Sequence, residues 1–418
     1  MPINNYNNFN FKNILNYLLI LLPVFLISGP FLSDLSVSIL AISSFFFLKN
    51  KKFFNNYFFF FFIFFWILIV ISSLFSDNKF LSLKVSLFYF RFCLFSLFIW
   101  WVLETDKTII KKIYFVLFFC FFALIFDSIF QYFNSYNILN MKIVMKDRIS
   151  SFFGDELKMG GFLMRFFPLL VALSFLFYKK NIHNKYLALS ILFIVFTYIT
   201  IFLSGERTSF FMFNFTILLF LIFLNDFKFV RLTLSIIIIF IFTILLSVES
   251  PFKKRLINLT IKETQIYDLA KPNYIFSKQY QEHYFSAWLM FKDNKLIGIG
   301  PKNFREKCKE KKYNFSKLTC STHPHNFPLQ LLAETGIFGF LIYIFLNIIV
   351  WFKLFKNLFS KIIYKDNILS NYQISLLIGI AILIWPIAPN GNIFNNWLSI
   401  ILFYPVGFFL WSKKDQKI

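Results

Sequence analysis

Apolar runs of roughly 20 residues recur along the whole chain, and this limits the fold more than any other feature. In lipid, only helices and closed barrels satisfy their own backbone. Continuous apolar runs fit helices, whereas a barrel strand would alternate. The chain has 418 residues, 58% hydrophobic and 15% charged, where a soluble protein would carry about 25% charge. The expected fold is an all-helical polytopic membrane protein forming a single integral membrane domain over residues 1–418.

About twelve spans are expected, at roughly 13–29, 33–49, 57–75, 85–103, 113–132, 161–178, 186–204, 208–225, 230–248, 330–352, 371–388 and 395–412. The first is read as a mature helix, because no small-residue cleavage site precedes Gly29-Pro30 and a second span follows at once. Lysines cluster after the even-numbered spans. Lys49, Lys51 and Lys52 follow the second, Lys107, Lys111 and Lys112 the fourth, Lys179, Lys180 and Lys185 the sixth, and Lys413, Lys414 and Lys417 close the chain. The odd-numbered loops hold little charge, and the positive-inside rule then expects both termini in the cytoplasm. The opposite face receives 134–159, the turn Ser204-Gly205-Glu206-Arg207-Thr208 and the long loop 249–329. In that loop an amphipathic stretch, Tyr280–Lys292, is expected to be helical and to lie on the membrane surface. The net charge of +23 does not indicate nucleic acid, because the lysines are spread over short loops and not gathered on one face.

The chemistry concentrates in Ser321-Thr322-His323-Pro324-His325-Asn326, directly before an apolar run. Proline lacks a backbone donor and pushes its predecessor out of helical geometry, so this stretch is the polar mouth of a membrane helix. A neutral imidazole there suits a general base; the plainer role is a helix cap. A zinc site at His323 and His325 would need Cys308 and Cys320 to complete it. Those cysteines, on the outer face, suit a disulfide instead. His283 lies in the same loop, and His183 lies among lysines on the opposite side with no role assigned.

Arg207 follows a Ser-Gly-Glu turn and opens a span. A guanidinium beside a helix amino end grips an anion well. Arg148 precedes the sixth span and Arg165 lies inside it, where a charge is costly and marks function. Lys302 and Arg305 follow the turn Gly298-Ile299-Gly300-Pro301, whose amides are either an anion cradle or an ordinary turn. Asp127 and Glu334 are the notable acids within spans, and Glu334 is read as pairing either with Arg207 or with a backbone donor.

Taken together, the His-Asn stretch 321–336, the turn 204–209, the segment Asp293–Phe304 and the looser motif from Arg148 to Gly161 resemble the O-antigen ligase family, which takes in related O-antigen polymerases. The resemblance implies a fold of the GT-C class of membrane glycosyltransferases. It implies transfer of a glycan from undecaprenyl diphosphate to an acceptor such as lipid A-core on the periplasmic face of the bacterial inner membrane, without a metal or other cofactor. His325, beside Asn326, would then be the catalytic histidine and Arg207 a diphosphate-binding arginine, with Arg148, Asn326, His323, His283, Lys302 and Arg305 binding substrate. Members often carry an arginine before the region of Trp288. Here Gln281-Glu282-His283 stands instead, so Lys278 or His283 substitutes or the diphosphate contact is weaker. Ligase and polymerase differ only in acceptor. A transporter of lipid-linked glycans is the alternative from another class, and it would show repeat-related broken helices.

Overall fold

The computed structural model describes residues 3–177, 184–265, 274 and 276–412. His183, Lys179, Lys180 and the closing lysines fall outside that range. The chain begins with α1 (Ile3–Ser28), α2 (Pro30–Phe47), α3 (Tyr57–Leu74), α4 (Lys79–Tyr89) and α5 (Arg91–Thr105). α6 (Thr108–Asn134), α7 (Met159–Phe177), α8 (Asn184–Leu203), α9 (Arg207–Phe223) and α10 (Lys228–Ser247) follow. The long connection to the next apolar helix holds α11 (Pro251–Lys253), α12 (Leu259–Thr264), α13 (Lys278–Asp293) and α14 (Phe304–Lys307). The chain closes with α15 (Phe327–Ile363), α16 (Asn371–Leu383) and α17 (Asn396–Ser412).

Among the described residues nine helices are long and apolar enough to cross a membrane, α4 and α5 counting as one. Three more apolar helices, α9, α16 and α17, are shorter. Each expected span has a helix under it, but the eleventh stops at Leu383 instead of continuing to 388. Pro386 and Pro389 remove backbone donors there, and the chain turns back as a loop.

Hydrogen bonds and ion pairs sort the connections into two ends. At one end Ser82 donates to the Pro301 carbonyl, Ile149 N–H to the Leu203 carbonyl, and Asn390 N–H to the His325 carbonyl. At the other, Lys52 pairs with Glu104, and Lys361 donates to the Leu224 carbonyl. The first end gathers loops that join the segment 249–326, and the second gathers lysine-bearing loops.

α15 is broken. Gly336 has φ 67° and ψ −164°, and a Cβ there would lie 2.2 Å from the Leu296 carbonyl oxygen. The break frees backbone groups that lipid could not satisfy. The 298–301 turn supplies the partners: Ile299 N–H donates to the Ala333 carbonyl, and Gly300 N–H and Ser72 Oγ donate to that of Glu334. Ile337 N–H donates back to the Lys295 carbonyl. The amides of Ile299 and Gly300 are thus spent on a helix break, which settles the turn as structural and leaves neither amide to an anion. Around it Met290, Phe304, Tyr313 and Ala333 form a small second core that fixes the loop onto α15.

A three-histidine cluster beside three arginines forms the candidate functional site

Asn326 starts α15. Its backbone is extended, its Oδ1 accepts from Leu329 N–H at 3.1 Å, and its Nδ2 donates to the Pro386 carbonyl at 2.9 Å. The helix cap is therefore Asn326 and not His325, whose side chain is free of that duty. His325 itself has φ 58°, a conformation costly for a residue with a Cβ. The surroundings hold it there, since the His325 carbonyl accepts from Asn390 N–H at 2.8 Å.

The two imidazoles are not equivalent. His323 Nε2 lies 3.3 Å from the Asn390 carbonyl oxygen, and its Nδ1 lies 2.9 Å from Thr322 Oγ1. A carbonyl only accepts, so Nε2 carries the hydrogen and Nδ1 accepts from the hydroxyl. Both nitrogens of His323 are thus occupied and its ring is buried. His325 is half-buried, with Nε2 3.2 Å from Ser321 Oγ. The two rings have centroids 4.0 Å apart, and the fully buried His283 stacks on His325 at 5.4 Å. Burial pulls His325 down to about 4, with His283 adding to the shift and the Asn390 backbone opposing it. Burial, then the charge on His325, pulls His323 down to about 3, and Arg305 is near enough to add to this. Burial also lowers His283. In all three, burial favours the neutral ring.

Tyr280 links this cluster to the arginines. Its ring packs edge-on to His325 at 5.3 Å, and its hydroxyl feels the charges of Arg207, Glu263, Arg148 and Arg255. Arg207 makes a two-pronged pair with Glu263 at 2.6 and 3.0 Å. Arg255 donates to the Gly205 carbonyl and to Asp147, both at 3.0 Å. Arg148 donates to the Leu157 carbonyl at 3.0 Å, and its Nε is buried without a partner among the described residues. The 204–207 turn explains how these meet. Gly205 has φ 62°, and a Cβ there would strike the Asp147 carbonyl oxygen at 2.3 Å. Half-buried Glu206 accepts from the N–H groups of Gly160 and Gly161 at 2.7 and 3.0 Å, which locks the turn onto the start of α7.

Arg165 donates to the Asn390 side-chain oxygen at 3.1 Å, and the backbone of Asn390 holds both histidine segments. Lys302 and Arg305 lie on another flank, near each other and near Glu334 and Arg91. Glu334 accepts from Gln330 at 2.8 Å and from Phe304 N–H at 3.2 Å, so of its two expected partners it takes the backbone one, while Arg207 takes Glu263. Asp127 accepts from Ile138 N–H at 2.9 Å and from Ser151, a structural tie across 135–151. Gln281 is exposed, and Glu282 accepts from Ser316 and Thr319 to tie down the loop.

Cys308 and Cys320 have sulfurs at 2.27 Å, a disulfide across a separation of 12 residues. Neither is then free to complete a metal site with the histidines. Among the described residues no group of three or more His, Cys, Asp or Glu is arranged to hold an ion. Closing such a loop contributes roughly 2–3 kcal/mol when unstrained. Both thiols are expected to resist a maleimide reagent in the folded protein and to label after reduction; labelling before reduction would reject the bridge.

Residues 188–344 match the family model described as O-antigen ligase. Over that stretch the chain is similar to this family. The O-antigen ligase match encloses Arg207, Arg255, Tyr280, His283, His323, His325 and Asn326. It leaves out Arg148, Arg165 and Asn390, which the fold brings to the same place from either side. The comparison with curated proteins gives no significant match.

Proposed function

We propose that the chain is a membrane glycosyltransferase that moves a glycan from a polyprenyl diphosphate, undecaprenyl diphosphate by family resemblance, to an acceptor hydroxyl. The observation that carries this reading is the pairing of a neutral, partly open imidazole, His325, with the arginine group of Arg148, Arg207 and Arg255 across one tyrosine. A diphosphate is a good leaving group, so the reaction needs cations for the departing charge more than it needs a strong acid. The acceptor oxygen bonds to the anomeric carbon as the bond from that carbon to the diphosphate oxygen breaks. The acceptor proton passes to His325, and the arginines hold the released diphosphate. No step calls for a metal. His323, with both nitrogens engaged, shapes the site, and Lys302 and Arg305 contact the sugar-bearing substrates.

In this reading the histidine end faces the periplasm, the lysine-bearing end and both termini face the cytoplasm, and the protein sits in the inner membrane of a bacterium. The acceptor is lipid A-core. The charged groups of the site lie at one end, while the space among α7, α8, α9 and α10 toward the other end is mainly apolar. This favours an enzyme over a transporter, which needs a polar path open to both sides. Analysis of surface glycans in a deletion strain tests the reading. Long chains left unattached to lipid A-core are expected. Single repeat units would assign a polymerase, and unchanged glycans would overturn the proposal.

A further inference from the structure

The far half of the bundle holds a feature the chemistry above does not use. A cleft of about 170 Å³ lies among the later turns of α7, the early turns of α8, the later turns of α9 and the start of α10. Phe167, Val171, Phe220 and Leu234 are among its walls, and Arg231 stands at its edge. Its walls are mainly apolar, a lining that suits hydrocarbon. α10 is the loosest wall: it is the most apolar and the least buried of the nine long helices among the described residues. The cleft is therefore bounded on one side by a helix set mostly against lipid.

Its charged rim decides the occupant. Arg231 donates to the Phe220 and Leu221 carbonyls at 2.9 and 2.7 Å, which caps α9, but its Nε is buried with no partner among the described residues. Lys361 and Lys228 lie within electrostatic reach of it, and Asp226 is the one acid among them. Asp226 is itself engaged by the Asn371 amide at 2.8 Å. The rim is thus net positive at the lysine-bearing end, roughly 20 Å along α9 from Arg207 at 1.5 Å per residue.

We propose that this cleft binds one acyl chain of an anionic phospholipid, with the headgroup phosphate on Arg231 and the neighbouring lysines. It is a site separate from the histidine cluster, and it stands whether or not the transferase reading does. The full-chain protein, purified in detergent, is offered phosphatidylglycerol or phosphatidylcholine at equal concentration, and retained lipid is counted by native mass spectrometry. Retention of phosphatidylglycerol is expected to exceed that of phosphatidylcholine by about fivefold or more, the effect of one cation near an anionic headgroup. Arg231→Gln is expected to remove the preference while leaving some retention of both. Ser235→Trp, which fills the cleft from α10, is expected to lower retention of both. Equal retention of the two lipids by the unaltered protein would overturn the proposal. So would displacement of phosphatidylglycerol by a short polyprenyl phosphate at lower concentration, which would assign the cleft to the carrier instead.

Discussion

His325→Ala is expected to reduce transfer by about 10²–10⁴-fold, the usual loss when a positioned base is removed, while leaving donor binding near normal. His323→Ala is expected to be much milder, because both nitrogens of His323 are already engaged by Thr322 and Asn390. Purified His325→Ala with near-normal turnover would end the assignment. The pH dependence gives a second check. His325 is held down to about 4 in the free protein, so its basic form is present throughout the range above that, and kcat/KM should show no acid limb from it until close to pH 4. A bound diphosphate brings negative charge and favours the imidazolium, so the acid limb of kcat should lie at higher pH than that of kcat/KM. Stability follows the same shift. The folded imidazole binds a proton less readily than the unfolded one, so its contribution is full above about pH 6.5, the unfolded value, and fades as pH falls toward the folded value. A melting profile less sensitive to pH in that window is expected for His325→Ala.

The helices were legible because lipid imposes one rule on every span, and the runs of apolar residues record it. Places where a span departs from a plain rod were less so. Gly336 breaks α15, yet glycine is common in membrane helices, so the letter alone does not announce a break. The signal lay in its pairing with Gly298-Ile299-Gly300, a turn short of side chains that can press its backbone against another backbone. Asn390 was missed for a related reason. Reading the eleventh span through to 388 put it at a helix end, whereas Pro386 and Pro389 mark a loop that returns to the histidines. Arg207, Arg148, His323 and His325 stood out because a charged or polar side chain at the end of an apolar run has few other reasons to be there. Arg255 and Glu263 lie in a loop rich in charge, where no periodicity separates a site residue from a solvated one, and the amphipathic stretch that Tyr280 opens does not single it out among its aromatic neighbours. Only the fold brings them to Arg207.

Arg207→Lys is expected to fail as a replacement, with losses in both donor affinity and turnover, because an ammonium cannot reproduce the two-pronged grip of a guanidinium. The donor carries its diphosphate before and during reaction, so the lost contact should appear in KM and in kcat alike. The structure adds a sharper expectation for the partner. Glu263 occupies both prongs of the Arg207 fork, at 2.6 and 3.0 Å, and so stands where two phosphate oxygens would bind. The two side chains are 29% and 41% exposed, and a pair this open contributes only about 0–1 kcal/mol. A diphosphate with more charge can displace it at little cost. Glu263→Gln removes the competing charge and is expected to lower the donor KM several-fold, up to roughly the fivefold that 1 kcal/mol allows, with kcat little changed. The opposite result, a raised KM and a lower kcat together, would mean that Glu263 aims Arg207 at the substrate. The carboxylate would then belong to the working site and not to its resting state. Arg207→Lys with Glu263→Gln separates the cases further: if the carboxylate only competes, relieving it should recover part of the affinity lost by the lysine variant and little of the turnover.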